Sequence, residues 1–161
     1  MKLTRLLLIL AAAVALRADP EYPKQGPDIY DPRADGATLV EDAIVQAKAT
    51  HRRILLDLGA NWCVWCRRLK ATFETDPAVK KVLDDNFVLV LIDVNHRDQK
   101  SRNDSLIRHY EDPVKEGLPV LLVLESDGRP LTTQETGSLE TKDGHDPKKV
   151  LAFLEKWTAK K

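Results

Sequence analysis

The chain has almost no cysteine. Of its 161 residues only Cys63 and Cys66 are cysteines, and both stand in one stretch, NWCVWCRRLK, residues 61–70. A fold stapled by several disulfides is therefore excluded. Excess charge of either sign is also missing. Lys and Arg total 25, Asp and Glu total 25, and no block of like charge marks a nucleic-acid partner. No repeat of 20–50 residues is visible, which excludes a solenoid. No apolar run is long enough to cross a bilayer comfortably, the longest being LLLILAAAVAL, residues 6–16. What is present fits a single domain with a real core, since 43% of the residues are hydrophobic.

The first residues stand apart in composition. Lys2 and Arg5 precede the apolar run at 6–16, the order of a secretory signal peptide. Ala13 to Ala15 and Ala18 are candidate cleavage positions; a buried helix or a retained anchor is the alternative. No cysteine follows the run, so lipid attachment to a cysteine is not expected. Cleavage after Ala18 would remove three basic residues and no acidic one, leaving a formal net charge of −3. The expected organisation is a signal peptide over 1–18, an extended lead-in over 19–37 rich in Pro, Asp and Gly, and one domain over 38–161. Export places the chain outside the cytoplasm, in the periplasm or an equivalent oxidising compartment. A single disulfide across so short a loop restricts the unfolded chain little, so a purely stabilising role for the cysteine pair is weak.

Patterning predicts alternating helices and strands. Thr38 and Glu41 have capping-box spacing before a helix over 38–51, whose stripe is Leu39, Ala43, Ile44 and Ala47. Apolar runs at 53–60, 87–94 and 119–126 read as buried strands. Asp127-Gly128 turns the third into a fourth at 129–136. Helices are predicted at 63–74, with Cys63 at its start, at 76–86 and 146–161, each opened by Asp-Pro, and at 105–112. Strands joined through helices are expected to run parallel, and the hairpin strands antiparallel. The fold class is α/β: a mixed central sheet flanked by helices on both faces.

A Cys-x-x-Cys that follows a strand and opens a helix reads as a redox pair. One helical turn brings the two sulfurs close enough to bond or separate with little backbone movement. The unpaired N–H groups at the helix start stabilise a thiolate on the first cysteine, and the thiolate is the nucleophile of disulfide exchange. Haem attachment would need His after the second cysteine, where Arg67 stands. Zinc needs four ligands, and His51, His96, His109 and His145 do not lie at zinc-finger spacing. Copper held by Cys63, Cys66 and a loop histidine such as His96 stays open.

The stretch ANWCVWCRRL, with LLDLGA upstream and GLPVLLVLESDGRPL downstream, resembles the thioredoxin superfamily over roughly residues 38–158. It looks most like the secreted branch and the C-terminal domain of transmembrane thiol:disulfide interchange proteins. The resemblance implies a thioredoxin-like fold, a Cys63–Cys66 redox centre and a proline loop packed against it. Asp57 stands where the family has a buried acid that relays a proton for the second cysteine. A carboxyl in an apolar strand should have a raised pKa and could serve as a base for Cys66; the alternative is a carboxylate facing solvent at a strand end. Pro119 matches the family's cis-proline, the alternative being an ordinary trans residue that starts a strand. Trp62 matches the tryptophan beside the nucleophile, and Leu118 and Pro119 would line the groove for a substrate strand. The sequence departs from the family at Val64-Trp65, which supplies neither proline nor histidine, and at Gly59, where many members carry an aromatic residue. Arg67, one turn after Cys63, could add positive charge near the thiolate; the alternative is an exposed helical arginine with little influence on it.

Two functions compete. One is an exported thiol:disulfide oxidoreductase, reductase rather than oxidase, working as a monomer on oxidised or reduced protein thiols. It would use no cofactor and would be recharged by a membrane-borne electron donor. The other is a binding module, either a copper carrier or a non-catalytic interaction domain.

Overall fold

In the computed structural model, residues 26–97 and 102–159 are described. The signal peptide and the first part of the lead-in, as read from the sequence, lie outside them.

Four strands form one mixed sheet in the order β2-β1-β3-β4, with β1 Arg53–Gly59, β2 Phe87–Asp93, β3 Val120–Leu124 and β4 Pro130–Glu135. Strand β1 lies inside the sheet and is buried from Ile54 to Gly59, which is why its sequence is continuously apolar rather than alternating, Asp57 excepted. Strand β4 is the edge opposite β2: it begins with Pro130, and its polar TTQE segment is only partly covered.

Helices cover both faces. Ile54, Leu56 and Leu58 point toward α1 (Gly36–Thr50) and α4 (Asp104–His109), meeting Val40, Ala43, Ala47, Leu106 and Ile107. On the other face Leu55 joins Leu69 and Phe73 of α2 (Val64–Thr75), Val79 and Leu83 of α3 (Pro77–Asn86), and Val150, Phe153 and Leu154 of α5 (Pro147–Lys156). Each fully buried side chain of this size contributes about 1.5–3 kcal/mol. The odd-numbered side chains of β1 therefore face α2, and Asp57 is one of them.

Asp76 and Asp146 cap α3 and α5 through the N–H groups that follow Pro77 and Pro147, as the Asp-Pro pairs predict. The start of α1 differs from the expectation. Asp35 is the N-cap, its carboxylate accepting from the Thr38 N–H at 2.8 Å, so the helix opens at Gly36 and Thr38 lies inside its first turn. Asn103 reinforces this start by accepting from the Gly36 N–H at 2.7 Å.

One expectation about direction is overturned. Strand β1 runs parallel to β2, but β3 runs antiparallel to β1 although a helix connects β2 to β3. The six-residue helix α4 rises about 9 Å, against roughly 23 Å for a seven-residue strand, so it is not a full-length crossover helix lying along the sheet. The connection begins and ends at the same end of the sheet, since Val94 donates to the Gly59 carbonyl and Val120 pairs with Leu58. The C-terminal end of β1, the start of α2 and the start of β3 thus converge.

Candidate active site

At that convergence Cys63 is the N-cap of α2, and a disulfide joins it to Cys66 one turn in. Their Cα atoms are 5.3 Å apart. Cys63 Sγ accepts from the Cys66 N–H at 3.1 Å, a donor that helix geometry leaves without an intrahelical partner. Cys63 is 4% exposed and Cys66 fully buried, so the first cysteine stands at the surface edge of the site and the second behind it.

The loop before β3 closes one side. The Leu118–Pro119 peptide is cis, and the Leu118 carbonyl oxygen lies 3.6 Å from Cys63 Sγ. Gly117 has φ +102° and ψ −176°, a conformation open essentially to glycine alone, which accounts for the glycine two residues before the proline. Buried Thr136, beyond the end of β4, donates its hydroxyl to the Pro119 carbonyl at 2.8 Å and holds the loop from behind.

Trp62 and Trp65 flank the disulfide. Trp62 donates its indole N–H to Asn95 at 2.8 Å, and the Arg97 guanidinium stacks 3.3 Å from its ring centroid. Arg68 stacks over Trp65 at 4.5 Å, and the imidazole of His145 meets the same ring edge-on at 5.8 Å. His145 is buried, and burial with the nearby Arg68 charge pushes its pKa down to about 4, so the ring is neutral at physiological pH.

Asp57 is completely buried on the α2 side of β1, not turned to solvent. Its Oδ1 accepts from the Tyr30 hydroxyl at 2.9 Å, and among the described residues Oδ2 has no hydrogen-bond partner. Burial raises the carboxyl's pKa to about 7, against the opposing pull of the Tyr30 hydrogen bond and the Lys70 charge. Tyr30, itself buried, is held well above the usual phenol range by burial and by the neighbouring Asp57, so it remains a donor. Gly59 explains how these groups fit together. A Cβ at that position would collide with the Tyr30 hydroxyl and would lie 2.9 Å from Cys66 Sγ. The phenol and the second sulfur therefore crowd the same point above β1, and only glycine leaves the room.

The segment that carries Tyr30 is not merely extended. Asn61 accepts from the N–H groups of Ile29 (2.8 Å) and Tyr30 (3.0 Å) and donates to the Tyr30 carbonyl (2.8 Å). Arg67 is not the exposed helical arginine that the sequence suggests. It is half-buried, donating to the Asn61 carbonyl at 2.8 Å and to the Pro27 carbonyl at 2.8 Å, so it clamps the lead-in against the cysteine loop.

All six residues singled out from the sequence, Cys63, Cys66, Asp57, Trp62, Leu118 and Pro119, meet at this end of the sheet. Tyr30, Asn61, Arg67, Thr136 and His145 join them, and no local motif predicts the contacts that they make there. The copper alternative is not assembled: no group of three or more potential metal ligands exists among the described residues, and His96 lies beside Asp104, with 3.6 Å between Nδ1 and Oδ1.

A thioredoxin-like family model matches residues 37–126. The thiol:disulfide interchange protein DsbD of Actinobacillus pleuropneumoniae serotype 5b is 33% identical over 90 residues, covering 55% of this chain and 14% of that protein. DsbD of Salmonella typhi is 26% identical over 135 residues, 80% of this chain and 22% of that protein. The chain thus spans no more than about a quarter of the length of these curated relatives. Among solved structures, a disulphide isomerase from Xylella fastidiosa Temecula1 is 33% identical with a TM-score of 0.70, covering 81% of this chain and 96% of that one. The oxidised C-terminal domain of Neisseria meningitidis DsbD shares the fold at 22% identity and a TM-score of 0.53, covering 76% of this chain and 96% of that one.

Proposed function

Because the chain belongs to the thioredoxin-like family of thiol:disulfide oxidoreductases, we propose that Cys63 and Cys66 form a dithiol/disulfide centre that reduces protein disulfides outside the cytoplasm. The observation that carries this reading is the placement of one cysteine at the helix start and the other one turn in, where Cys66 Sγ crowds the same point as the Tyr30 hydroxyl that donates to the buried Asp57 carboxyl, whose second oxygen has no partner among the described residues.

In the reducing direction the Cys63 thiolate attacks a substrate disulfide. One substrate sulfur leaves as a thiolate and takes up a proton, and a Cys63–substrate mixed disulfide remains. Cys66 then gives its proton to the Asp57 carboxylate and attacks Cys63 Sγ. The second substrate thiol departs, and the Cys63–Cys66 disulfide forms. Two electrons pass from the protein to the substrate, and another dithiol must restore them; no separate cofactor enters. A carboxyl with a pKa near 7 is matched to taking up and releasing this proton at neutral pH. Leu118 and Pro119, beside Cys63, would form the wall along which a substrate strand lies, with Trp62 packed against the same cysteine cluster.

Export, and a membrane-borne donor for recharging, are part of this proposal; the basic-then-apolar stretch over residues 2–16 and the likeness to DsbD support them. No helix among the described residues is long and apolar enough to cross a membrane. The protein is expected to act as a monomer.

The roles of the two thiols are directly testable. When the reduced protein is treated with a limiting alkylating agent near pH 7 and digested, the label should fall on Cys63 first. Preferential labelling of Cys66 would reverse the assignment.

A further inference from the structure

The family match begins at residue 37, yet one group at the site comes from before it. We propose that Tyr30 is a positioning residue for the resolving step: residues 27–30 form a strap that delivers one phenol hydroxyl to the Asp57 carboxylate. This rests on the reading of Cys66 as the resolving thiol and of Asp57 as its base.

The strap is built from the active-site loop itself. Asn61, two residues before Cys63, makes three hydrogen bonds to the backbone of Ile29 and Tyr30. Arg67, the residue after Cys66, reaches the Pro27 carbonyl. Both anchors flank the cysteine pair, so the phenol's position is tied to the geometry of that pair rather than to a distant part of the fold. The result is a fixed donor on Oδ1 of Asp57, which leaves Oδ2 as the oxygen free to receive a proton. Gly59 keeps the space through which the Tyr30 hydroxyl and Cys66 Sγ approach one another.

A hydrogen bond to a buried carboxylate favours its charged form. Tyr30 thereby keeps Asp57 a competent base at a lower pH than burial alone would allow. The other charges facing this pair are Lys70 and Arg67 from α2 and Asp93 from β2; β3 presents Leu121 opposite Asp57 and contributes none. None of them is altered by the substitution Tyr30→Phe, which keeps the ring and removes the hydroxyl alone.

The test uses the full chain, reduced, with Ellman's reagent as the disulfide probe. The first thionitrobenzoate reports attack by Cys63 and the second reports resolution by Cys66. In wild-type protein the second release should follow an inflection near pH 7. In Tyr30→Phe that inflection should move up by about one pH unit, with a roughly tenfold slower release below it and recovery above it. The first release should be unchanged. The 13C resonance of the Asp57 carboxyl in the oxidised proteins should titrate with the same upward displacement, a readout independent of turnover. A Tyr30→Phe protein that melts at a lower temperature but shows the wild-type inflection in both measurements overturns the proposal and makes the strap structural only. If wild-type protein yields no second release at all, it is the assignment of Cys66 that fails. In that case the carboxyl titration alone decides whether Tyr30 tunes Asp57.

Discussion

Asp57→Asn should make the oxidised protein more stable at pH 8 and at the same time slow its resolving step by about 100-fold. The two effects have one cause. In the unfolded chain Asp57 releases its proton near pH 4, whereas in the fold burial holds it until about pH 7. Between those values the folded state binds more protons than the unfolded state, so wild-type stability falls as pH rises through this window and levels off above it. The pKa difference of roughly three units corresponds to a loss on the order of 4 kcal/mol. Asn has the same shape, can still accept from the Tyr30 hydroxyl and does not ionise, so it escapes the loss. Melting curves of the two oxidised proteins should coincide near pH 4 and separate progressively up to pH 7, with the variant higher. A difference that does not change with pH would mean that Asp57 carries no buried charge. The kinetic cost arises because an amide cannot take the Cys66 proton, and general-base assistance of this kind is worth at least about 10².

Cys66→Ser should accumulate a stable mixed disulfide between Cys63 and its substrates, whereas Cys63→Ser should abolish exchange altogether. The structure gives the reason for the asymmetry. Cys63 sits at the edge of the site beside the Leu118 carbonyl, where an incoming disulfide can reach it; Cys66 is fully buried behind it and can meet only a sulfur already attached to Cys63. Non-reducing gels of the two variants after incubation with oxidised protein substrates should show adducts for Cys66→Ser alone. Adducts of equal abundance on both variants would contradict an ordered attack and resolution.

The parts of the site legible in the sequence were those with a local signature. An acid within ILLDL, two cysteines one turn apart and a Gly-x-Pro before an apolar run each announce themselves within a few residues. The Asp-Pro helix starts at 76 and 146 and the four strands are legible for the same reason. What could not be read depends on distant pairing. Tyr30 lies 27 residues before Asp57, in a Pro- and Asp-rich stretch whose composition indicates only an extended chain. Gly59, a departure from the family pattern, becomes intelligible once the Tyr30 ring is seen to occupy the space above it. Asn61 and Arg67 look like ordinary polar residues around a cysteine pair, because their partners are backbone atoms of the lead-in. The antiparallel direction of β3 is set by where the connection from β2 ends in space, and no pattern within either strand encodes that. Asp35 outcompetes Thr38 as the cap of α1 because its carboxylate meets the Thr38 N–H and the preceding turn places it there, with Asn103 completing the helix start from 67 residues away along the chain.

The central claim is that Cys63 and Cys66 form a working redox couple poised toward reduction. A strong oxidant needs a well-stabilised Cys63 thiolate. Here no histidine lies between the cysteines, Arg67 is engaged with two backbone carbonyls, and the Leu118 carbonyl oxygen faces Cys63 Sγ, which disfavours negative charge on the sulfur. The cation stacks on Trp62 and Trp65 lie over the ring faces. Equilibration of the purified protein in glutathione buffers, followed by the fluorescence of Trp62 and Trp65 and by thiol trapping, measures the couple directly. A single reversible two-electron transition with a potential below about −180 mV is expected. A transition near −120 mV would make the protein a disulfide donor, and the absence of any reversible transition would contradict a redox role for the pair.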